Sequence, residues 1–208
     1  MLGLYARKVG MTQVFDEAGN LMPVSVLRID PNVVISKKTK EADGYAAVVV
    51  GIDEAKKNRV TKARAGQFPE KITPKKKICE LRDFEKEVAV GDSLGIEVLK
   101  NVRFVDVSGV SKGKGFQGVV KRYKFGGGRK THGSKFHREP GSTGQSTYPA
   151  KTFKNVKLPG RMGREKVTVL SLKVVKTDPE KQLILVRGAV PGINKGLVFV
   201  RSAVKKGR

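Results

Sequence analysis

Residues 111–166 set the tightest limit on what this chain can fold into, because they hold fifteen Lys or Arg, eleven Gly and only two acids, Glu139 and Glu165. Their only Val, Leu or Ile residues are Val119, Val120, Val156 and Leu158, whereas residues 167–200 contain fifteen. A stretch so poor in aliphatic side chains cannot fold on itself by burial. Its rings are dense instead: Phe116, Tyr123, Phe125, Phe136, Tyr148 and Phe153 are six of the thirteen Phe and Tyr in the chain. Cations interleaved with flat rings suit phosphates and unpaired bases. The segment therefore reads as a long basic loop, mostly disordered alone and ordered on a partner.

The formal net charge is +24, of which residues 111–166 supply +13. Such self-repulsion in a compact body calls for a polyanionic partner. The basic segment is broken by Gly and Pro and shows no apolar helical stripe, so no membrane partner is expected. Smaller clusters at Lys37, Lys38 and Lys40, at Lys56 and Lys57, and at Lys75, Lys76 and Lys77, with the tail Lys205, Lys206 and Arg208, read equally as solvated faces or as further phosphate contacts. One cysteine, Cys79, allows no internal disulfide and no zinc site of its own, which fits a reducing compartment. The start, Met-Leu-Gly-Leu-Tyr-Ala-Arg-Lys, lacks the apolar run of about 7 to 15 residues of a secretory leader, and no window approaches about 18 apolar residues. A soluble cytoplasmic protein is the expectation.

On either side of the basic segment the pattern is mainly β. Short runs rich in Val, Leu and Ile occur at 9–15, 21–29, 32–36, 45–52, 94–99 and 102–110, and again at 166–176, 181–187 and 196–201. Asp16–Asn20, Asp30-Pro31, Asp43-Gly44, Thr177–Glu180 and Gly188–Gly192 supply the turns. The runs 102–110 and 183–186 alternate too little to separate their faces and read as strands covered on both sides. Many short strands with tight turns suggest a small closed β-barrel, built from residues 1–52, 85–110 and 167–208. Between 53 and 84 the pattern loosens around Pro69 and Pro74, with a short helix near Thr61–Phe68, and reads as a small α+β insertion. Residues 111–166 then form the extended loop, which leaves one strand and returns into another.

Two groups of residues invite an enzymatic reading. Gly113-Lys-Gly115-Phe-Gln-Gly118 matches a dinucleotide-binding fingerprint, but that site needs a substantial helix opening at the third Gly, and the stretch after Gly118 is short and ends in Gly126-Gly-Gly128. No catalytic Asp loop or Asp-Phe-Gly accompanies it, as a kinase would require. The same glycines better serve to let backbone amides approach phosphates. His132 and His137 lack a nearby Cys or acidic pair, and Glu139 stands alone, so neither metal binding nor two-group acid–base chemistry is expected. No catalytic residue, cofactor, metal or small-molecule substrate is assigned. The candidate RNA contacts are Lys112, Lys114, Phe116, Lys121, Arg122, Tyr123, Lys124, Arg129, Lys130, His132, Lys135, His137, Arg138, Lys151, Lys154, Lys157, Arg161 and Arg164.

Several motifs taken in order carry a further reading: Lys8-Val-Gly-Met-Thr-Gln-Val-Phe15, Asp106-Val-Ser-Gly-Val-Ser-Lys-Gly-Lys-Gly-Phe-Gln-Gly-Val119, Thr131-His-Gly-Ser134, Pro140-Gly-Ser-Thr-Gly-Gln145 and Arg187-Gly-Ala-Val-Pro-Gly192. Together they resemble the family of large-subunit ribosomal protein three, in its bacterial form, over essentially the whole chain. The resemblance implies a barrel like those of translation factors, a small α+β insertion, and a loop running through large-subunit ribosomal RNA toward the peptidyl transferase centre. It also implies a role in early subunit assembly, contacts with neighbouring large-subunit proteins, residence in the cytoplasmic ribosome, and no catalysis. Where many relatives carry Trp after a basic pair, this chain has Lys121-Arg122-Tyr123. Gln145 matches a glutamine that some bacterial relatives carry methylated, which implies a glutamine methyltransferase as a further partner. The competing readings are a general nucleic-acid-compacting protein and a nucleotide-dependent enzyme built on the glycine motif.

Overall fold

A computed structural model describes residues 2–206. Its strands are β1 (Gly3–Phe15), β2 (Leu21–Arg28), β3 (Asn32–Lys38), β4 (Ala47–Glu54), β5 (Lys75–Arg82), β6 (Ser93–Leu94), β7 (Phe104–Val110), β8 (Phe116–Gln117), β9 (Gly160–Arg161), β10 (Lys166–Asp178), β11 (Leu183–Arg187) and β12 (Leu197–Ser202). Three short helices, α1 (Lys40–Asp43), α2 (Lys62–Ala65) and α3 (Val119–Tyr123), complete a mainly β chain.

Six strands follow one another in the order β1-β12-β7-β10-β11-β2, and β2 pairs back onto β1, so the hydrogen bonding closes on itself. Every pairing in this ring is antiparallel. Period-two alternation sends Leu4 and Ala6 of β1, Val105 and Val107 of β7, Ile184 and Val186 of β11, and Val198 and Val200 of β12 into one buried cluster. In β7 the opposite face is buried as well: Asp106 is 1% exposed, its carboxylate accepts from the Ser171 amide at 2.9 Å, and Arg201 Nη2 lies 3.4 Å away. Strand β7 is thus covered on both sides, as its weak alternation suggests. In β11 only Ile184 and Val186 are fully buried, and Leu183 and Leu185 are half-buried.

A second sheet, in the order β5-β4-β3-β6, is where the structure corrects the sequence reading. Sequence pattern alone assigns the runs 32–36 and 45–52 to the barrel body; they are β3 and β4, and they pair with β5 and β6 rather than with the ring. The second sheet therefore draws on residues outside 53–84. Local pattern identifies a strand, but its partner is set by long-range packing, and β4 is buried over Ala47–Ile52 because it lies between two apolar layers. Val34, Val48, Val50 and Leu81 join the main cluster, while Ile35, Val49, Phe68 and Ile72 form a smaller one. Thr61 caps α2 by accepting from the Arg64 amide at 3.4 Å, which delivers Phe68 to that smaller cluster. Strand β5, with Lys75, Lys76 and Lys77, falls in the stretch whose pattern is loose; its charges suit an edge strand that must resist pairing with other chains.

Polar side chains stitch ring to sheet. Asn32 is fully buried and satisfied: Nδ2 donates to the carbonyls of Tyr5 (3.0 Å) and Asp30 (2.8 Å), and Oδ1 accepts from the Tyr5 amide (3.1 Å). Arg7 donates Nε to Asp30 at 2.8 Å and Nη2 to Asp53, and the Asp53 hydrogen bond followed by Asp30 holds its guanidinium above the usual pKa. By its contacts the chain divides into two units: residues up to Val110 with those from Lys166 onward, and Ser111–Glu165. Val110 and Lys166 are register partners, so the first unit gives up and takes back the chain at adjacent positions.

Candidate nucleic-acid interface

Ser111–Glu165 is built from the backbone outward. The Ser111 amide donates to the Glu165 carbonyl at 2.9 Å, the Lys114 amide to Met162 at 2.9 Å and the Met162 amide to Gly115 at 3.0 Å, after which β8 and β9 pair Phe116 with Arg161 and Gln117 with Gly160. These bonds make a narrow antiparallel stem. Gly163, at φ +76°, passes against the Lys112 backbone, where an added Cβ would meet the carbonyl carbon at 3.1 Å and would also have to adopt a left-handed conformation. Among the described residues of the segment only Val119 is buried. The segment thus holds its course by hydrogen bonds and glycines, in keeping with its lack of aliphatic side chains.

At the stem's far end Gly118 precedes α3, a five-residue helix. A helix does open at the third glycine of the Gly113/Gly115/Gly118 motif, yet it ends at Lys124 with φ 61°, far short of a dinucleotide-binding helix. The motif's expected use, presenting amides to phosphates, narrows as well, because the Lys114 amide is spent on Met162. Arg122, on α3, donates Nη1 to the Leu158 carbonyl at 2.8 Å, and its guanidinium lies over the Tyr123 ring at 5.0 Å and against Gly160. Any side chain at position 160 would collide with this guanidinium, with an added Cβ 3.1 Å from Cζ. Arg122 and Tyr123 therefore brace the segment from within. A glycine spaced across from an arginine is the only trace of this in the sequence.

Beyond α3 a second closure forms where the Gly128 amide donates to the His137 carbonyl at 3.0 Å. His137 Nδ1 lies 2.9 Å from the Arg129 carbonyl oxygen, a geometry that requires Nδ1 to carry the hydrogen. Ser142 Oγ donates to the Gly144 carbonyl at 2.7 Å, tightening the turn that carries exposed Gln145. Among the described residues no group of three or more His, Cys, Asp or Glu comes together.

The sequence-derived contact residues now have positions. Lys112, Lys114, Phe116, Lys121, Lys124, Arg129, Lys130, His132, Lys135, His137, Arg138, Lys151, Lys154, Lys157, Arg161 and Arg164 are exposed, and Arg122 and Tyr123 are half-buried. The ion pairs found among the described residues all lie in the other unit. Lys151 sits 5.7 Å from the exposed Phe153 ring, and the half-buried Tyr123 and Phe125 rings lie 6.4 Å apart. Phe116 is 73% exposed and Tyr148 87%, so both rings are open to contact. Unpaired cations spaced along a glycine-rich backbone can neutralise closely spaced phosphates, and the exposed rings can stack on bases.

Comparison with known proteins adds an independent finding. A family model described as ribosomal protein L3 matches residues 35–182. The large ribosomal subunit protein uL3 of Treponema denticola is 54% identical over 208 residues, covering 100% of both chains. Those of Treponema pallidum (strain Nichols), 55% identical over 208 residues, and Borrelia hermsii, 47% identical over 209, likewise cover 100% of each chain.

Proposed function

The chain belongs to the ribosomal protein L3 family, in its bacterial form, and from that premise we propose that it is a structural, non-catalytic component of the large ribosomal subunit in the bacterial cytoplasm. It binds large-subunit ribosomal RNA, assists early subunit assembly and extends Ser111–Glu165 toward the peptidyl transferase centre. The observation that carries this reading is the row of exposed cations from Lys112 to Arg164, Arg122 apart, with no ion pair among the described residues there and one buried side chain. In this proposal the six-stranded ring is a small closed barrel of the translation-factor kind that anchors on folded RNA, with the second sheet as its insertion, and the basic segment threads between RNA helices. Phosphate contacts supply most of the affinity, and Phe116 with the neighbouring rings fits the gaps. Neighbouring large-subunit proteins are its other partners. Gln145, exposed on a tight turn, is proposed as the acceptor for a glutamine methyltransferase, read out as one added methyl mass on its peptide.

Sedimentation tests the reading. The native chain is expected to travel with large ribosomal subunits and to resist moderate salt. Retention on duplex DNA at least equal to that on structured ribosomal RNA would favour a nucleic-acid-compacting protein instead, and heat on titration with ATP or NAD would favour an enzyme.

A further inference from the structure

The hairpin formed by the outer half of β1 and the start of β2 is unlike the rest of this chain. Val9 to Leu27 is a run of nineteen residues without Lys or Arg, the longest in the sequence, and its only charges are Asp16 and Glu17. In a protein of net charge +24 this is a patch that a polyanion has no reason to approach. The same hairpin exposes large apolar side chains: Met11 and Leu21 are each 51% exposed and Phe15 is 70% exposed. Register pairs Gln13 with Pro23 and Phe15 with Leu21, so with Met11 these side chains share one face, and they line a common hollow.

The backbone there is unfinished too. Strand β12 pairs with β1 only from Gly3 to Arg7, and from Gly10 to Phe15 the strand pairs with β2 alone. The Asp16 amide donates to the Asn20 carbonyl, which sets the hairpin's phase: Val14 and Thr12 face Met22 and Val24 across bonded positions. The amides of Met11, Gln13 and Phe15 consequently turn away from β2. Pro23, which has no N–H, sits opposite Gln13, and its carbonyl accepts from Gly188 outside the hairpin, as this phase demands. Among the described residues no strand covers the outer edge of β1 from Met11 to Phe15. A long, apolar, uncovered strand edge is an aggregation hazard unless another chain completes it.

We propose that the β1 edge at Met11–Phe15, with the apolar face of Phe15, Leu21 and Pro23, is a docking surface for another protein of the same assembly. That partner lays an extended strand along β1, apolar where it crosses Phe15 and Leu21 and basic where it passes Asp16 and Glu17. Main-chain hydrogen bonds to Met11, Gln13 and Phe15 supply the register, and the apolar face selects the side chains. A basic protein fits because the hairpin's charge is opposite in sign to the net charge of the chain, and Lys-free apolar patches characterise the cores of protein contacts. The inference rests on the ribosomal reading and names a surface that reading leaves open.

Hydrogen exchange on the unmodified chain tests it. Moving from the free protein to intact large subunits, the amides of Met11, Gln13 and Phe15 are expected to slow at least tenfold, and unchanged exchange there would overturn the proposal. A photoreactive Gln13→benzoylphenylalanine chain built into subunits should yield an adduct that resists RNase, is lost to protease, and falls at least tenfold in yield with Phe15→Lys. An adduct digested by RNase, or no adduct in subunits that hold the chain stoichiometrically, overturns the proposal while leaving the ribosomal reading intact. A chain absent from the subunits overturns both.

Discussion

The ring-and-sheet unit and the basic segment solve opposite problems with one chain. The first buries Leu27, Val105, Val107, Ile184, Val186 and Val200 completely and gives the buried polar side chains of Asn32 and Asp106 hydrogen-bond partners. The second buries Val119 alone and spends its backbone bonds on staying narrow. What this teaches is a division between stability and affinity. Substitutions in the first unit should change whether the protein folds, and substitutions in the second should change what it holds.

Excision of residues 112–164, joining Ser111 to Glu165 through a two-residue turn, presses the comparison hardest. RNA affinity is expected to drop by about a hundredfold or more near physiological salt, while the unfolding midpoint stays within about 5 °C, since Val110 and Lys166 already face each other. An unfolded product in circular dichroism would break the division. Leu27→Ala is the mirror experiment, with a loss of about 2–5 kcal/mol in denaturant unfolding and no change in the salt dependence of RNA binding.

Replacing Lys151, Lys154 and Lys157 by Ala tests the segment more finely. The slope of log affinity against log salt should flatten by roughly 2 to 3 units at an unchanged melting point, and an unchanged slope in filter binding would remove these cations from the interface. The smallest effect concerns Glu80, whose carboxyl is held below the usual range by the hydrogen bond from Lys38 and then by that from Tyr45. A carboxyl with a lowered folded pKa stabilises above its unfolded pKa, and that contribution fades as pH falls through the folded value. Glu80→Gln should therefore lower the midpoint slightly at neutral pH, by about 2 °C at most for so exposed a pair, and the difference from wild type should close under acid. A difference that grows on acidification would contradict the assignment.

How much of this was legible in the sequence depends on the range of the forces involved. The composition of the basic segment could be read directly because charge, glycine and missing aliphatics are local facts. The strands of the ring were legible as strands from short aliphatic runs set between turn residues. That β3 and β4 belong to the second sheet was not, because Val34 and Val48 look the same whichever sheet receives them, and Asn32, the side chain that ties the two together, is a single amide in a turn-like context. Within the segment the cations could be picked out, but the inward role of Arg122 could not, since it depends on a carbonyl at Leu158 and a vacant Cβ at Gly160, 36 and 38 residues away. The docking edge of the β1–β2 hairpin was hidden for another reason. Its signal is a lack of charge, which is conspicuous only against a chain as basic as this one.

The order of the ring, β1-β12-β7-β10-β11-β2, has a consequence for synthesis. Three of its six strands, β10, β11 and β12, lie after the segment, so the ring cannot close until residues 166–202 have been made. At about 5–20 residues per second that is a wait of roughly 2 to 7 seconds. During that interval the cationic stretch has already been translated while half of the strands that close the ring are still to come.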